Sequence, residues 1–138
     1  MAIKQLSILI PNEKGALAEI TETFCEAEID VRAISVSDTT EYGILRTVVD
    51  EPDKAIKCLA EKGIVAKKSD ILAINPEDKR GSLTAVFKLL GENDINIDYI
   101  YSFVVRKNED QYFVLKVDDI PKAESLLVEN KVKVIRGI

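Results

Sequence analysis

The chain has 138 residues, a formal net charge of −5 at pH 7 and an isoelectric point near 4.9. This acidity argues against nucleic acid and anionic membranes as partners, because both are bound through clustered Lys and Arg. The absence of histidine removes the commonest general base and the commonest protein ligand of metals. No apolar run approaches the ~20 residues of a membrane span and no leader pattern opens the chain, so we expect a cytoplasmic protein with two reduced cysteines.

The first half of the chain predicts the element order βαββαβ. Alternating apolar residues predict a strand over 3–10, and apolar residues at helical spacing from Leu17 onwards predict a helix over 16–27. The remaining elements are a strand over 28–36, a strand over 44–49, a helix that begins at Glu51-Pro52-Asp53 and stops at Gly63, and a strand over 65–68.

The second half repeats the first. An offset of 66 residues carries Gly15 to Gly81 and Leu17 to Leu83, and it grows to 68 beyond the second strand. The two extra residues fall in a charged hairpin over 106–110, where an insertion costs little. The repeat predicts strands over 70–75, 95–104, 111–117 and 132–136, and helices over 82–93 and 121–130.

A βαββαβ module folds as a four-stranded antiparallel sheet with both helices on one face, the ferredoxin-like arrangement. The sequence therefore predicts an α+β protein with two such modules, at residues 1–69 and 70–138. No linker rich in Gly, Pro or Ser separates them. Because each module is too small to bury a comfortable core unaided, we expect the two to pair within the chain.

The second strand of each module shows a slip in its apolar alternation. Apolar residues fall at positions 29 and 31 and then at 34 and 36, and the repeat shows the same slip between 97 and 100. One extra residue in a strand produces such a slip, which predicts a β-bulge. An ordinary strand with two apolar faces is the alternative.

Each module joins its first strand to its first helix by a turn that carries glycine, at Gly15 and at Gly81. The N–H groups at a helix start are unpaired and partly positive, so they can hold a small anion such as a carboxylate. A simpler interpretation is that the polar residues make local turns and that glycine supplies only backbone freedom.

The pattern Asn12-x-x-Gly15-x-Leu17, followed by Asp30 in the second strand, resembles the ACT domain, a small regulatory module that binds amino acids. The second half repeats the pattern as Asp78-x-x-Gly81-x-Leu83, followed by Asn96. The resemblance covers essentially the whole chain, once per module, and leaves no segment for a catalytic domain. The closest likeness is to stand-alone tandem ACT proteins.

The resemblance implies a ligand at an interface between modules, with its carboxylate on the amides of the strand-to-helix turn. The implied ligand-binding residues are Asn12, Lys14, Gly15, Ala16, Leu17 and Asp30 in the first module, and Asp78, Arg80, Gly81, Ser82, Leu83 and Asn96 in the second. The Asn and Asp positions are exchanged between the modules. Arg80 also replaces Lys14, and Arg can grip a carboxylate bidentately, so we expect two unequal sites.

The function that follows is a non-catalytic metabolic sensor of a free amino acid, without cofactor or metal. It would act allosterically on a metabolic enzyme or regulator. The aromatic residues Tyr99, Tyr101 and Phe103 line one side of a strand, which suggests contact with a partner module or a homodimer. An enzyme is disfavoured because the chain lacks histidine and any nucleophile or phosphate-loop motif. The alternative is a ferredoxin-like protein-interaction or assembly module with a vestigial ligand site.

Overall fold

The computed structural model describes residues 3–38, 41–104 and 110–137. These residues form seven strands and four helices, in the predicted order except that one strand replaces the two expected at the junction, and they confirm two ferredoxin-like modules in tandem. The elements are β1 (Ile3–Pro11), α1 (Ala16–Glu26), β2 (Val31–Asp38), β3 (Tyr42–Val49), α2 (Pro52–Glu61), β4 (Ala66–Asn75), α3 (Ser82–Glu92), β5 (Ile97–Val104), β6 (Gln111–Val117), α4 (Ile120–Glu129) and β7 (Lys133–Ile135). Two compact units comprise Lys4–Ser69 and Asp70–Gly137, and Ile3 groups with the second.

The first unit has the strand order β2-β3-β1-β4, and its strand pairs β1–β3 and β2–β3 are antiparallel. Its core forms where α1 and α2 cover one face of the sheet. Phe24 and Leu59 from the helices pack against a cluster that includes Leu6, Ile8 and Leu45 from the strands. Each such side chain contributes about 1.5–3 kcal/mol when it is fully buried, so this face holds the unit together.

The second unit repeats this arrangement in the order β7-β4-β6-β5, again with antiparallel neighbours. Its core cluster contains Leu90 from α3 and Leu127 from α4, packed on Leu72, Ile74 and other strand residues. The two clusters match along the repeat at all helix positions, and they differ only at the strand residues Ile10 and Leu45 of the first unit and Leu115 of the second. The apolar spacing read from the sequence therefore identified the buried face of each helix.

The structure differs from the sequence prediction at residues 65–75, where two short strands were expected. One continuous strand, β4 (Ala66–Asn75), replaces them, and the boundary between the compact units falls inside it after Ser69. The physical reason is that residues 66–70 contain neither glycine nor proline, so nothing in the chain interrupts the extended backbone.

The predicted bulges are confirmed in both units, and the alternative of a regular strand with two apolar faces is wrong. The pairing of β2 with β3 shifts register between Val31 and Ala33, and the pairing of β5 with β6 shifts between Ile97 and Tyr99. The second strands begin later than predicted because a left-handed residue, Glu28 or Asp94, first closes the preceding helix.

The aromatic residues of β5 pack partly within their own sheet. The rings of Tyr99 and Tyr101 stack with centroids 6.4 Å apart, and Phe103 meets Tyr112 of β6 edge to face at 5.5 Å. All three β5 rings are half-buried. Of the hairpin over 106–110 that carries the two extra residues, positions 106–109 lie outside the described residues.

The core of the second unit can be tested with two substitutions that each shorten an aliphatic side chain. Leu90→Ala should lower the free energy of unfolding by about 2–5 kcal/mol, because Leu90 is fully buried and its removal leaves a cavity. Val128→Ala on α4, where the side chain is 52% exposed, should change it by less than about 0.5 kcal/mol. Urea unfolding followed by circular dichroism measures both, and equal effects would contradict the placement of the core.

Candidate functional site

The strand-to-helix turn of each unit ends at a glycine with left-handed backbone angles. Gly15 has φ 85° and Gly81 has φ 91°, and each stands immediately before a helix without any side chain that caps the helix start. The start of α4 is different, because the Asp119 carboxylate accepts a hydrogen bond from the backbone N–H of Lys122. The starts of α1 and α3 therefore present backbone donors that their own N-cap residues do not satisfy.

The first helical residue of each turn is only weakly tied back into the loop. The N–H of Ala16 donates to the Glu13 carbonyl at 3.3 Å, and the N–H of Ser82 donates to the Lys79 carbonyl at 3.2 Å. The next N–H groups, at Leu17 and Leu83, belong to a first helical turn and have no partner inside the helix. Their orientation suits an incoming carboxylate.

The structure brings the predicted turn residues together in each unit. Asn12, Lys14, Gly15, Ala16 and Leu17 lie in one exposed or half-exposed turn at the end of β1. The turn after β4 holds their counterparts Asp78, Arg80, Gly81, Ser82 and Leu83 in the same way.

Within one unit the structure does not bring the predicted strand residue to this turn. α1 has 11 residues, a length of about 16 Å, and separates Gly15 at its start from Asp30 beyond its end. The backbone N–H of Asp30 donates to Asp50 Oδ1 at 2.9 Å, whereas the N–H of Asn12 donates to the Glu41 carbonyl at 2.9 Å. The two groups of candidate residues thus lie at opposite ends of the module.

The bulges offer a local reason for the Asp and Asn at the starts of the second strands, Asp30 and Asn96. Asp30 lies 3.3 Å from the Nε of Arg32, the extra residue of the β2 bulge. Asn96 donates from Nδ2 to Asp98 Oδ1 at 2.9 Å, and Asp98 is the extra residue of the β5 bulge. The anionic Asp30 thus pairs with a cationic bulge residue, and the neutral Asn96 donates to an anionic one. Both contacts are local and need no ligand.

An open groove of about 1320 Å³ surrounds the turn of the second unit. Its walls come from the β4–α3 turn with the first two turns of α3, from the α4–β7 turn, and from the ends of β5 and β6. Ser82 lines the groove, and its hydroxyl oxygen is buried without a hydrogen-bond partner among the described residues. A buried hydroxyl without a partner loses free energy that a ligand can restore.

The charged side chains of the groove divide into paired and unpaired groups. Lys79 and Glu77 form an ion pair at 2.9 Å, and this hydrogen bond and the lysine charge lower the pKa of the Glu77 carboxyl. Asp110 accepts a hydrogen bond from Asn75 at 3.4 Å. In the part of the chain that the structure describes, four further groove charges form no ion pair. They are Asp78, Arg80, Lys131 and Lys133.

Sequence reasoning missed the α4–β7 side of this groove. Lys131 and Lys133 line it, and both stand at positions where the first module has an apolar or small residue, Val65 for Lys133 and Gly63 for Lys131. The offset of 68 residues that relates the later parts of the two modules contains this signal. Residues 3–38, 41–104 and 110–137 contain no acidic or cysteine cluster that could hold a metal ion. None of the described helices is long and apolar enough to cross a membrane.

The chain thus consists of two ferredoxin-like modules in tandem, each with an uncapped helix start beside a left-handed glycine. The chain belongs to the ACT domain family. A family model described as an ACT domain pair matches residues 1–137. No curated protein sequence shows a significant match.

Solved structures share the fold across nearly the whole chain. Protein BT0572 from Bacteroides thetaiotaomicron is 32% identical, with a TM-score of 0.90, over 98% of this chain and 92% of that one. The ligand-free regulatory subunit of aspartate kinase from Thermus thermophilus is 19% identical, with a TM-score of 0.67, over 93% and 90%. The corresponding subunit from Thermus flavus is 21% identical, with a TM-score of 0.65, over 93% and 90%. The two kinase subunits thus share the fold of this chain.

The left-handed turn can be tested with two glycines of the second unit. Gly81→Ala should lower the free energy of unfolding by about 1–2 kcal/mol, since an added Cβ meets nothing within 4 Å but the positive φ disfavours any L side chain. Gly91→Ala near the end of α3 should raise it by up to about 1 kcal/mol, because this site is equally open and helical. Urea unfolding distinguishes the two signs. A stabilising Gly81→Ala would contradict the left-handed conformation.

Proposed function

We propose that the protein is a non-catalytic regulator that binds a free amino acid at the uncapped start of α3. The observation that carries the proposal is that one groove combines the first-turn N–H groups of α3 that follow Ser82, which have no partner inside the helix, with the unpartnered hydroxyl of Ser82. Membership of the ACT family supports a regulatory role. In this proposal the ligand changes the association of the protein with its partners, without a chemical step.

The carboxylate of the amino acid binds the N–H groups of the first turn of α3. An anion at a helix start is stabilised by about 0.3–1 kcal/mol, and by up to about 2 kcal/mol where the site is partly buried. Gly81 has no side chain, so the backbone can be approached closely. Arg80 adds a guanidinium that can form two parallel hydrogen bonds to one carboxylate.

The ammonium group of the amino acid binds the carboxylate of Asp78. Asp78 is exposed at the groove and has no ion-pair partner among the described residues, so its charge is available. The first module has Asn12 at this position, which can accept a hydrogen bond but carries no charge. The proposal therefore places the stronger site in the second module.

A single amino acid cannot reach both the turn and the strand-start residue of one module. Its carboxylate and ammonium groups are attached to the same carbon atom, whereas the length of a helix separates Gly81 from Asn96. If Asp30 or Asn96 takes part in binding, it must therefore come from one copy of the module while the glycine turn comes from another copy. The expected homodimer would provide further copies, and we propose it together with a cytoplasmic location and a metabolic enzyme or regulator as the controlled partner.

The ligand is found by thermal shift over the free amino acids, because a ligand that binds only the folded state raises its stability. At 100 times the Kd this stabilisation is about 2.7 kcal/mol. If no amino acid raises the melting temperature and calorimetry finds no binding, the proposal is wrong. The remaining interpretation would then be an interaction module with a vestigial site.

The role of Asp78 is tested with the ligand that this screen identifies. Asp78→Asn should weaken binding by about 1–3 kcal/mol, the range for a lost charge-assisted hydrogen bond. Asp94→Asn is the matched control, since it removes the same charge in the same unit at the far end of α3. Titration calorimetry should find the control unchanged. Equal affinities for both variants and the parent would remove Asp78 from the site.

A further inference from the structure

We infer that the groove of the second module prefers an amino acid whose side chain carries a second carboxylate. This inference rests on the proposed function and adds the class of ligand. Its basis is a pair of lysines that line the same groove as the start of α3, Lys131 in the α4–β7 turn and Lys133 at the start of β7.

The charge inventory of the groove leaves an excess of positive charge after its internal pairs are formed. Glu77 is bound by Lys79, and Asp110 accepts from Asn75. Asn75 is uncharged, so Asp110 keeps its negative charge. Among the described residues this leaves three cations, Arg80, Lys131 and Lys133, against the two carboxylates of Asp78 and Asp110, an excess of one positive charge. An amino acid with a neutral side chain is a zwitterion, so its carboxylate and its ammonium group offset one another and the excess remains. A dicarboxylic amino acid supplies one more negative charge.

The positions of the two lysines are fixed by the fold. Lys131 is the left-handed residue that closes α4, with φ 61°, and its N–H donates to the Val128 carbonyl at 3.1 Å. Lys133 pairs across β7 and β4 with Asn75, the last residue before the turn that leads to Gly81. Adjacent strands lie about 4.8 Å apart, so Lys133 stands beside the point where the turn departs.

The first module shows that the fold does not need lysine at either position. Gly63 stands where Lys131 stands, also in a left-handed conformation, with φ 75°. Val65 is the counterpart of Lys133 and is 82% exposed. A left-handed lysine is less favourable than glycine, because the Cβ crowds the backbone. Glu28 and Asp94 close α1 and α3 in the same conformation, so this position accepts a charged residue but does not require lysine.

Besides Lys131 and Lys133, Ser82 also distinguishes this groove from the corresponding part of the first module. Its hydroxyl is buried without a partner among the described residues, and the first module has Ala16 there. In the inferred complex the α-carboxylate lies on the first turn of α3 with the Ser82 hydroxyl as an added donor. The ammonium group lies on Asp78, and the side-chain carboxylate extends towards Lys131, with Lys133 beside it.

Titration calorimetry with pairs of amino acids tests the inference. We expect glutamate or aspartate to bind about 5- to 30-fold more tightly than glutamine or asparagine, the upper end of the range for one or two solvent-exposed ion pairs. Raising the salt from about 20 to about 300 mM should reduce this preference, because exposed charges are screened. Glutarate, which has both carboxylates but no amino group, should bind more weakly than glutamate.

The repeat supplies the variants. Lys131→Gly and Lys133→Val introduce the residues that the first module carries, and together they should reduce the acid-over-amide preference to less than about three-fold, since the ion pairs are lost. Val65→Lys adds a positive charge to the first module, outside this groove, and should leave the acid-over-amide preference unchanged. Melting curves without ligand confirm that the variants fold.

The outcomes distinguish a failure of the dicarboxylate preference from a failure of amino-acid binding itself. If a neutral or basic amino acid binds as tightly as the acidic ones, the dicarboxylate preference is wrong and the proposed amino-acid regulator stands. If the preference exists but survives in Lys131→Gly/Lys133→Val, the lysines are not its cause and the inference is wrong. If glutarate matches glutamate, the site selects dicarboxylates without an amino group, which also overturns it. If no amino acid binds, both proposals fail.

Discussion

The left-handed glycine before the first helix of each module is the constraint on which the candidate site depends. A chain that leaves a strand and enters a helix with φ near 90° brings the helix start directly behind the strand end. A side chain at this position would be strained, so glycine stands there and no side chain caps the helix. The absence of a cap leaves the first N–H groups to a ligand or to water. The same glycine thus sets the path of the backbone and leaves the first N–H groups of the helix without a side-chain cap.

The two modules keep the same fold and differ in the chemistry around this turn. Their cores match along the repeat, and both second strands carry a bulge at the same position. At the turn, by contrast, the second module has Asp78, Arg80 and Ser82 in place of an amide, a lysine and an alanine. Packing restricts the core positions in both copies, whereas exposed positions are free to differ. A duplicated fold can therefore carry two sites of unequal strength.

Much of the fold could be predicted from the sequence because apolar spacing and turn chemistry are local signals. The slip near Arg32 predicted a bulge, since a period of two leaves no other simple way to return side chains to the core. The continuous strand β4 was missed because the repeat suggested a break, although residues 66–70 contain no residue that causes one. The separation of Gly15 from Asp30 followed from the helix predicted over 16–27, because a helix of about this length holds its two ends about 16 Å apart.

The central claim is that the ligand binds the amides at the start of α3, and backbone NMR tests it most directly. On addition of the amino acid found by screening, the largest ¹H and ¹⁵N shifts of the protein should occur at Gly81, Ser82 and Leu83. The amides near Asn96, at the other end of the module, should shift less than those of residues 81–83. Shifts that spare residues 81–83 and concentrate elsewhere would contradict the account, even if the ligand binds tightly.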